Sequence, residues 1–188
     1  MSILTIANQL TLLRMLLIPI FVILVLYGEA GWALVVFVVA GITDGLDGLI
    51  ARLSNQRTSL GAWLDPMADK LLLVTTFIVL SLPAAGFVNR IPIWLTVLVI
   101  TRDVGIVVTV TVVNLAVGPR TFSPSVYGKV ATATYLLTVT LVLFFNYLGR
   151  HSVLVDAAVW ASLAATLVSG LHYVAHARRI INLPPASS

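Results

Sequence analysis

The sequence predicts an all-α integral membrane protein, a bundle of six transmembrane helices forming a single domain over residues 1–188. Three observations lead there. Hydrophobic residues make up 60% of the chain and charged residues 10%, with a mean hydropathy of +1.07, far outside the balance of a soluble domain. Apolar runs recur along the 188 residues with short polar connections; at about 20 residues per crossing they fill the length as roughly six helices and leave no soluble domain over. Four of the seven acidic residues crowd into positions 44–69 between such runs, and carboxylates in that setting are costly enough to mark a site by default.

Residues 1–8 form a short, weakly amphipathic start ending in Asn8, and Thr11 to Leu26 is the first apolar run, with Pro19 expected to bend it. Arg14 interrupts the run and no small-residue cleavage site follows, so it reads as a retained helix. The second run, Trp32 to Leu53, carries Asp44 and Asp47 near its end. After a polar link, the third begins about Gly61 with Asp65 and Asp69 in its first turns and ends at Leu82, before Pro83. Pro66 then sits where proline costs a helix least. The fourth, Pro92 to Val117, holds Arg102 and Asp103 well inside it. A proline-containing connection leads to the fifth run, Lys129 to Leu148, and the sixth extends from Val153 to Ala177, before Arg178, Arg179 and a Pro-Pro tail. Neither an internal repeat nor a low-complexity segment is present.

A net charge of +4 and a pI near 9.9 invite a nucleic-acid reading, but the basic residues are scattered singly and form no run. They serve better as topology signals. With a cytoplasmic amino terminus, one side collects Arg14, Arg52, Arg57, Lys70, Arg120, Lys129, Arg178 and Arg179, the other has Arg90 and Arg150, and Arg102 stays in the membrane. The excess places both termini and the 44–69 stretch at the cytoplasmic face. With no cysteine, disulfide and thiol chemistry are excluded.

Asp44 and Asp47 are three apart and Asp65 and Asp69 four apart, so each pair shares a helix face. The short link makes the second and third helices an antiparallel hairpin that brings the pairs to one depth. Four converging carboxylates repel and take up protons unless a cation binds between them. Oxygen ligands suit magnesium, manganese or calcium rather than zinc, and magnesium is commonly held by carboxylates together with substrate phosphates. Gly45, Gly48 and Gly61 cost helix propensity, and with the small Ala51 they return close backbone approach, while Arg52 can reach a phosphate. A proton relay or a buried salt-bridge network is the plainer reading, but Arg52 and Lys70 do not balance four aspartates.

In order, the residues run Asp44, two of any kind, Asp47, Gly48, two of any kind, Ala51, Arg52, eight of any kind, Gly61, three of any kind, Asp65, three of any kind, Asp69. This resembles the signature of the CDP-alcohol phosphotransferases. The segments Asn8 to Arg14 and Pro124 to Lys129 resemble the bacterial phospholipid-synthesising branch, so the likeness covers most of the chain. It implies a single CDP-alcohol phosphotransferase membrane domain, in a bacterial cytoplasmic membrane, that displaces CMP from a CDP-linked lipid, usually CDP-diacylglycerol, by an alcohol hydroxyl. It further implies that Asp44, Asp47 and Asp65 hold two divalent ions, Mg2+ or Mn2+, against the diphosphate, and that Asp69, also near a metal, is the general base. Gly48, Ala51 and Gly61 would leave room for the CDP group, with Arg52 steadying its phosphates. Those roles fit phosphoryl-type transfer, which needs in-line positioning, charge neutralisation and a proton acceptor.

Arg102, Arg120 and Lys129 are candidates for binding the acceptor through a phosphate. The alternative for Arg102 is a packing ion pair with Asp103, which adjacency disfavours because neighbouring residues do not face each other on a helix; for Arg120 and Lys129 it is ordinary positive-inside charge. Arg14 reads equally as a family position and as a side chain snorkelling to the interface. His172 and His176 are four apart but have no third ligand in view and read as an interfacial helix end.

Among acceptors, glycerol 3-phosphate, giving phosphatidylglycerophosphate, is favoured by the basic trio and by resemblance to phosphatidylglycerophosphate synthases. Those enzymes more often carry arginine followed by glutamate where this chain has Arg102-Asp103, which looks closer to the CMP-forming cardiolipin synthases, whose acceptor is phosphatidylglycerol. Inositol phosphate and serine are further options. Two other classes compete: an intramembrane prenyltransferase, which normally needs more helices and widely separated motifs, and a divalent-cation transporter, which often shows an internal repeat. The expected partners are membrane lipid and the two substrates, with no nucleic acid, and small-residue helix faces are compatible with a homodimer.

Overall fold

The computed structural model describes residues 6–53, 59–83, 86–117 and 125–181, and within these spans the side chains outside 6–8, 45–53, 59–67, 69, 113–114, 116–117 and 176–181. Six helices follow in order: α1 (Ile6–Leu26), α2 (Ala30–Leu53), α3 (Ser59–Ser81), α4 (Ile93–Val117), α5 (Val126–Tyr147) and α6 (Val153–Ile181). No strand occurs among the described residues. α1 starts before the expected Thr11, because neither proline nor glycine stands ahead of it to stop the helix, and it continues through Pro19. α5 starts before Lys129 because Ser125 caps it: the Ser125 hydroxyl accepts from the Gly128 backbone N–H at 3.1 Å.

Within the described residues, α1, α4, α5 and α6 contain stretches long and apolar enough to cross a membrane, whereas the apolar parts of α2 and α3 are the shorter Ala30–Asp44 and Lys70–Ser81. Asp44 and Asp47 fall on α2 and Asp65 and Asp69 on α3.

α1 packs against both α2 and α3, α5 packs against α2 and α6, and α4 lies on α6 and α3. Among the described residues, α1 makes close contacts with both arms of the expected hairpin. Phe21, Phe37, Phe77, Leu95, Tyr135 and Leu143 belong to the buried core, where Phe77 meets Tyr135 edge-on with centroids 5.5 Å apart. Lipid tails give apolar helices little reason to associate, so polar pairs and close packing contribute instead. Along α6, Ser162 bonds Thr138 at 2.8 Å and Thr166 bonds the Tyr135 hydroxyl at 2.7 Å.

The connections at one end of the bundle are tightly made. α1 and α5 close in matching turns, with Gly28 at φ 78° and Gly149 at φ 62°; beyond each, Glu29 N–H reaches Leu24 O and Arg150 N–H reaches Phe145 O, the bonding of a glycine-terminated helix. Asn89, 3% exposed, joins the α3–α4 connection to the end of α5: its backbone N–H donates to Asn146 Oδ1 at 2.8 Å and its side-chain amide to Arg150 O at 2.7 Å. Asn89→Ala keeps the backbone bond to Asn146 but strands Arg150 O, and is expected to cost about 2 kcal/mol of stability, read as a lowered thermal midpoint in detergent with the helical signal retained.

Candidate active site

A fully buried charged side chain, Arg14, lies towards the opposite end of the bundle. Asp44, on α2, is half-buried, and its Oδ1 lies 2.9 Å from Nη2 of Arg14, which is completely buried. Arg14 therefore does not snorkel: its buried guanidinium pairs with a carboxylate from the neighbouring helix.

Asp44 lines a cavity of about 400 Å³ between α2, α3, α4 and α5, together with Gly41, Lys70, Arg102 and Asp103, above an apolar floor that includes Phe37 and Leu73. A second cavity, of about 580 Å³, lies between α4, α5 and α6 and is lined by Arg102, Ser125, Gly128, Lys129 and Tyr173, with Ile106, Val110 and Leu136 as its apolar wall. Arg102, Ile106, Thr132 and Leu136 line both. The two spaces thus adjoin, and Arg102 is the charged group in the wall they share.

Arg102 Nη1 donates to Asp103 Oδ1 at 2.6 Å, which corrects the expectation that adjacency keeps them apart. Successive side chains leave a helix about 100° apart, but that angle separates their stems and not the end of a long guanidinium. Arg102 Nη2 donates to the Ser169 hydroxyl on α6. Its side chain is 12% exposed, and Nε is buried without a hydrogen-bond partner among the described residues. On α5, Gly128 comes close: a Cβ there would stand 3.3 Å from Arg102 Nη2. Lys129 is exposed at the second cavity. His172 packs on Tyr127, ring centroids 4.4 Å apart.

The remaining sequence candidates divide by position. Asp47, Gly48, Ala51 and Arg52 fall on α2, and Gly61, Asp65 and Asp69 on α3, but their side chains lie outside the described residues, as does that of His176. Arg120 lies outside them altogether. Among the described residues no group of three or more His, Cys, Asp or Glu side chains is placed to hold a metal. The donor chemistry nevertheless suits a hard divalent cation: Asp44 brings carboxylate oxygen to the cavity wall, and three further aspartates sit on the same two helices. Sequence reasoning missed Ser169, which carries no motif signal.

Residues 4–168 match the family model of the CDP-alcohol phosphatidyltransferases. The chain belongs to that family. This CDP-alcohol phosphatidyltransferase is 37% identical over 184 residues to a probable phosphatidylglycerophosphate synthase of Mycobacterium tuberculosis, covering 93% of this chain and 82% of the relative. It is 35% identical over 165 residues to a putative cardiolipin synthase of Mycobacterium bovis, 86% of this chain and 75% of the other. Against a CMP-forming cardiolipin synthase of Streptomyces coelicolor the identity is 32% over 197 residues, 98% of this chain and 88% of the relative. The protein is a membrane transferase of phospholipid synthesis that carries out CDP-alcohol phosphatidyl transfer, in a family that generally uses divalent metal ions.

Proposed function

We propose that this transferase moves the phosphatidyl group of CDP-diacylglycerol to glycerol 3-phosphate, forming phosphatidylglycerophosphate and CMP. The observation that carries the reading is the shared wall at Arg102, with the Asp44 cavity on one side and the Lys129 cavity on the other. A donor site and an acceptor site must adjoin in this way for in-line transfer.

Asp44, Asp47, Asp65 and Asp69 would hold two Mg2+ or Mn2+ ions, which when bound neutralise the diphosphate. Gly48, Ala51 and Gly61 give the CDP group room, and Arg52 binds its phosphates. The acceptor hydroxyl gives its proton to the Asp69 carboxylate while its oxygen bonds to the phosphorus that bears diacylglycerol. The bond from that phosphorus to the CMP oxygen breaks, and CMP leaves with the electron pair. Arg102, Arg120 and Lys129 hold the acceptor phosphate.

The same reading has all six helices crossing the bilayer as one domain, with both termini and the site on the cytoplasmic side, supported by the lysine and arginine count. It leaves room for a homodimer. Phosphatidylglycerol is the second acceptor, favoured by two observations: Asp103 already offsets the charge of Arg102, and Ile106, Val110 and Leu136 give the second cavity an apolar wall suited to a lipid.

Purified protein supplied with CDP-diacylglycerol, Mg2+ and either glycerol 3-phosphate or phosphatidylglycerol separates the two by lipid product. Phosphatidylglycerophosphate supports the first reading; cardiolipin alone replaces it with the second. Lys129→Ala is expected to raise KM for a phosphorylated acceptor about tenfold, the loss of one charge-assisted contact, while KM for the CDP-lipid stays within about twofold. An unchanged acceptor KM would remove Lys129 from the acceptor site.

A further inference from the structure

Ser162, Thr166 and Ser169 follow one another at helical spacing on α6 and are all buried, so they form one polar stripe. The first two bond to Thr138 and Tyr135 of α5, in the packed part of the bundle. The third departs from that pattern. Its hydroxyl accepts from Arg102 of α4, whose other terminal nitrogen is held by Asp103, and it does so at the wall between the two cavities.

Gly128 completes the arrangement from α5. A Cβ at this position would stand 3.3 Å from Arg102 Nη2 and 3.3 Å from Ser125 Oγ, with Ser169 Oγ at 4.0 Å. The guanidinium thus occupies space that any larger residue would contest, and it is tied to two helices besides. A free arginine side chain loses about 2 kcal/mol of rotamer entropy when a ligand immobilises it; one already fixed loses little of that on binding, which is the advantage of preorganisation.

We infer that Ser169 is a positioning residue for acceptor binding, fixing the Arg102 guanidinium between the cavities, with Gly128 as the clearance that permits the fixed rotamer. Ser169 acts through Arg102 and does not touch the reacting atoms. This inference rests on the acceptor role proposed for Arg102.

The test is steady-state kinetics of the purified full chain, with CMP release followed separately against acceptor and against CDP-diacylglycerol. Ser169→Ala is expected to raise the acceptor KM about tenfold, the magnitude of one hydrogen bond to a charged group, with kcat and the CDP-lipid KM within about twofold. Gly128→Ala, which crowds the same guanidinium from α5, is expected to give the same split and serves as the second test if Ser169→Ala does not fold. In an Arg102→Lys background, where the guanidinium bond is absent, Ser169→Ala is expected to change the acceptor KM less than twofold. That non-additivity identifies action through Arg102. The inference is overturned by an unchanged acceptor KM, by parallel rises in both KM values with a lowered thermal midpoint, or by an equal effect of Ser169→Ala in both backgrounds. Wild-type protein that releases no CMP with either acceptor rejects the proposed substrates themselves, a different outcome from an active wild type whose acceptor KM ignores Ser169.

Discussion

Asp69→Asn is expected to lower turnover by about 10²- to 10⁴-fold, the usual contribution of a positioned general base, with binding of CDP-diacylglycerol largely retained. Asparagine keeps the shape and an oxygen but cannot accept the hydroxyl proton. Because the proposed Asp69 also stands near a metal, the informative quantity is the ratio of the two effects. A large loss of kcat with a small change in nucleotide-lipid affinity assigns the base. Full activity in Asp69→Asn removes it from that role, and a loss of affinity as large as the loss of kcat makes it a ligand instead.

Asp44→Asn is expected to have two separable consequences. Its carboxylate is proposed to bind metal, and replacing it should weaken metal-dependent nucleotide binding by at least about 100-fold, since even residues that merely orient metal ligands contribute 10- to 100-fold. It also compensates Arg14, which is fully buried 2.9 Å away. Losing one partner of a buried pair costs about 3–5 kcal/mol, and the partial exposure of Asp44 reduces that to about 2 kcal/mol. Combining Asp44→Ala with Arg14→Met removes both charges, so it is expected to recover most of the thermal stability and none of the nucleotide binding. Recovery of both properties would show Asp44 to be a structural counter-ion only.

Much of the fold was legible because apolar runs of membrane length leave the chain few options. The six runs in the sequence correspond to the six helices, and turn glycines such as Gly28 and Gly149 stand where helices end. The motif placed Asp44 and Asp47 on one helix and Asp65 and Asp69 on the next, as found. What escaped the sequence was lateral. Periodicity says which face of a helix is polar, not which helix it meets, so the wedge of α1 against both α2 and α3 was invisible.

For the same reason the fate of long cations was not legible. Arg14 read equally as a family position and as a side chain that reaches for the interface, and Arg102 as one that its neighbour could not satisfy. Each is settled by partners distant in sequence or by stem flexibility: Asp44 for the first, Asp103 and Ser169 for the second. Gly128 drew notice only as part of a motif. Its physical reason, the clearance it gives the Arg102 guanidinium, needs three helices in place.

The central claim is that the aspartates on α2 and α3 and the cavity beyond Arg102 together perform metal-dependent phosphatidyl transfer from CDP-diacylglycerol. The most direct measurement follows CMP and lipid product together in purified protein, with and without acceptor and with and without divalent ion. The account predicts one new phospholipid for each CMP, and loss of both on chelation with recovery on adding Mg2+ or Mn2+. CMP release that proceeds fully in the metal-chelated protein, or that yields no new phospholipid with either glycerol 3-phosphate or phosphatidylglycerol, would contradict it.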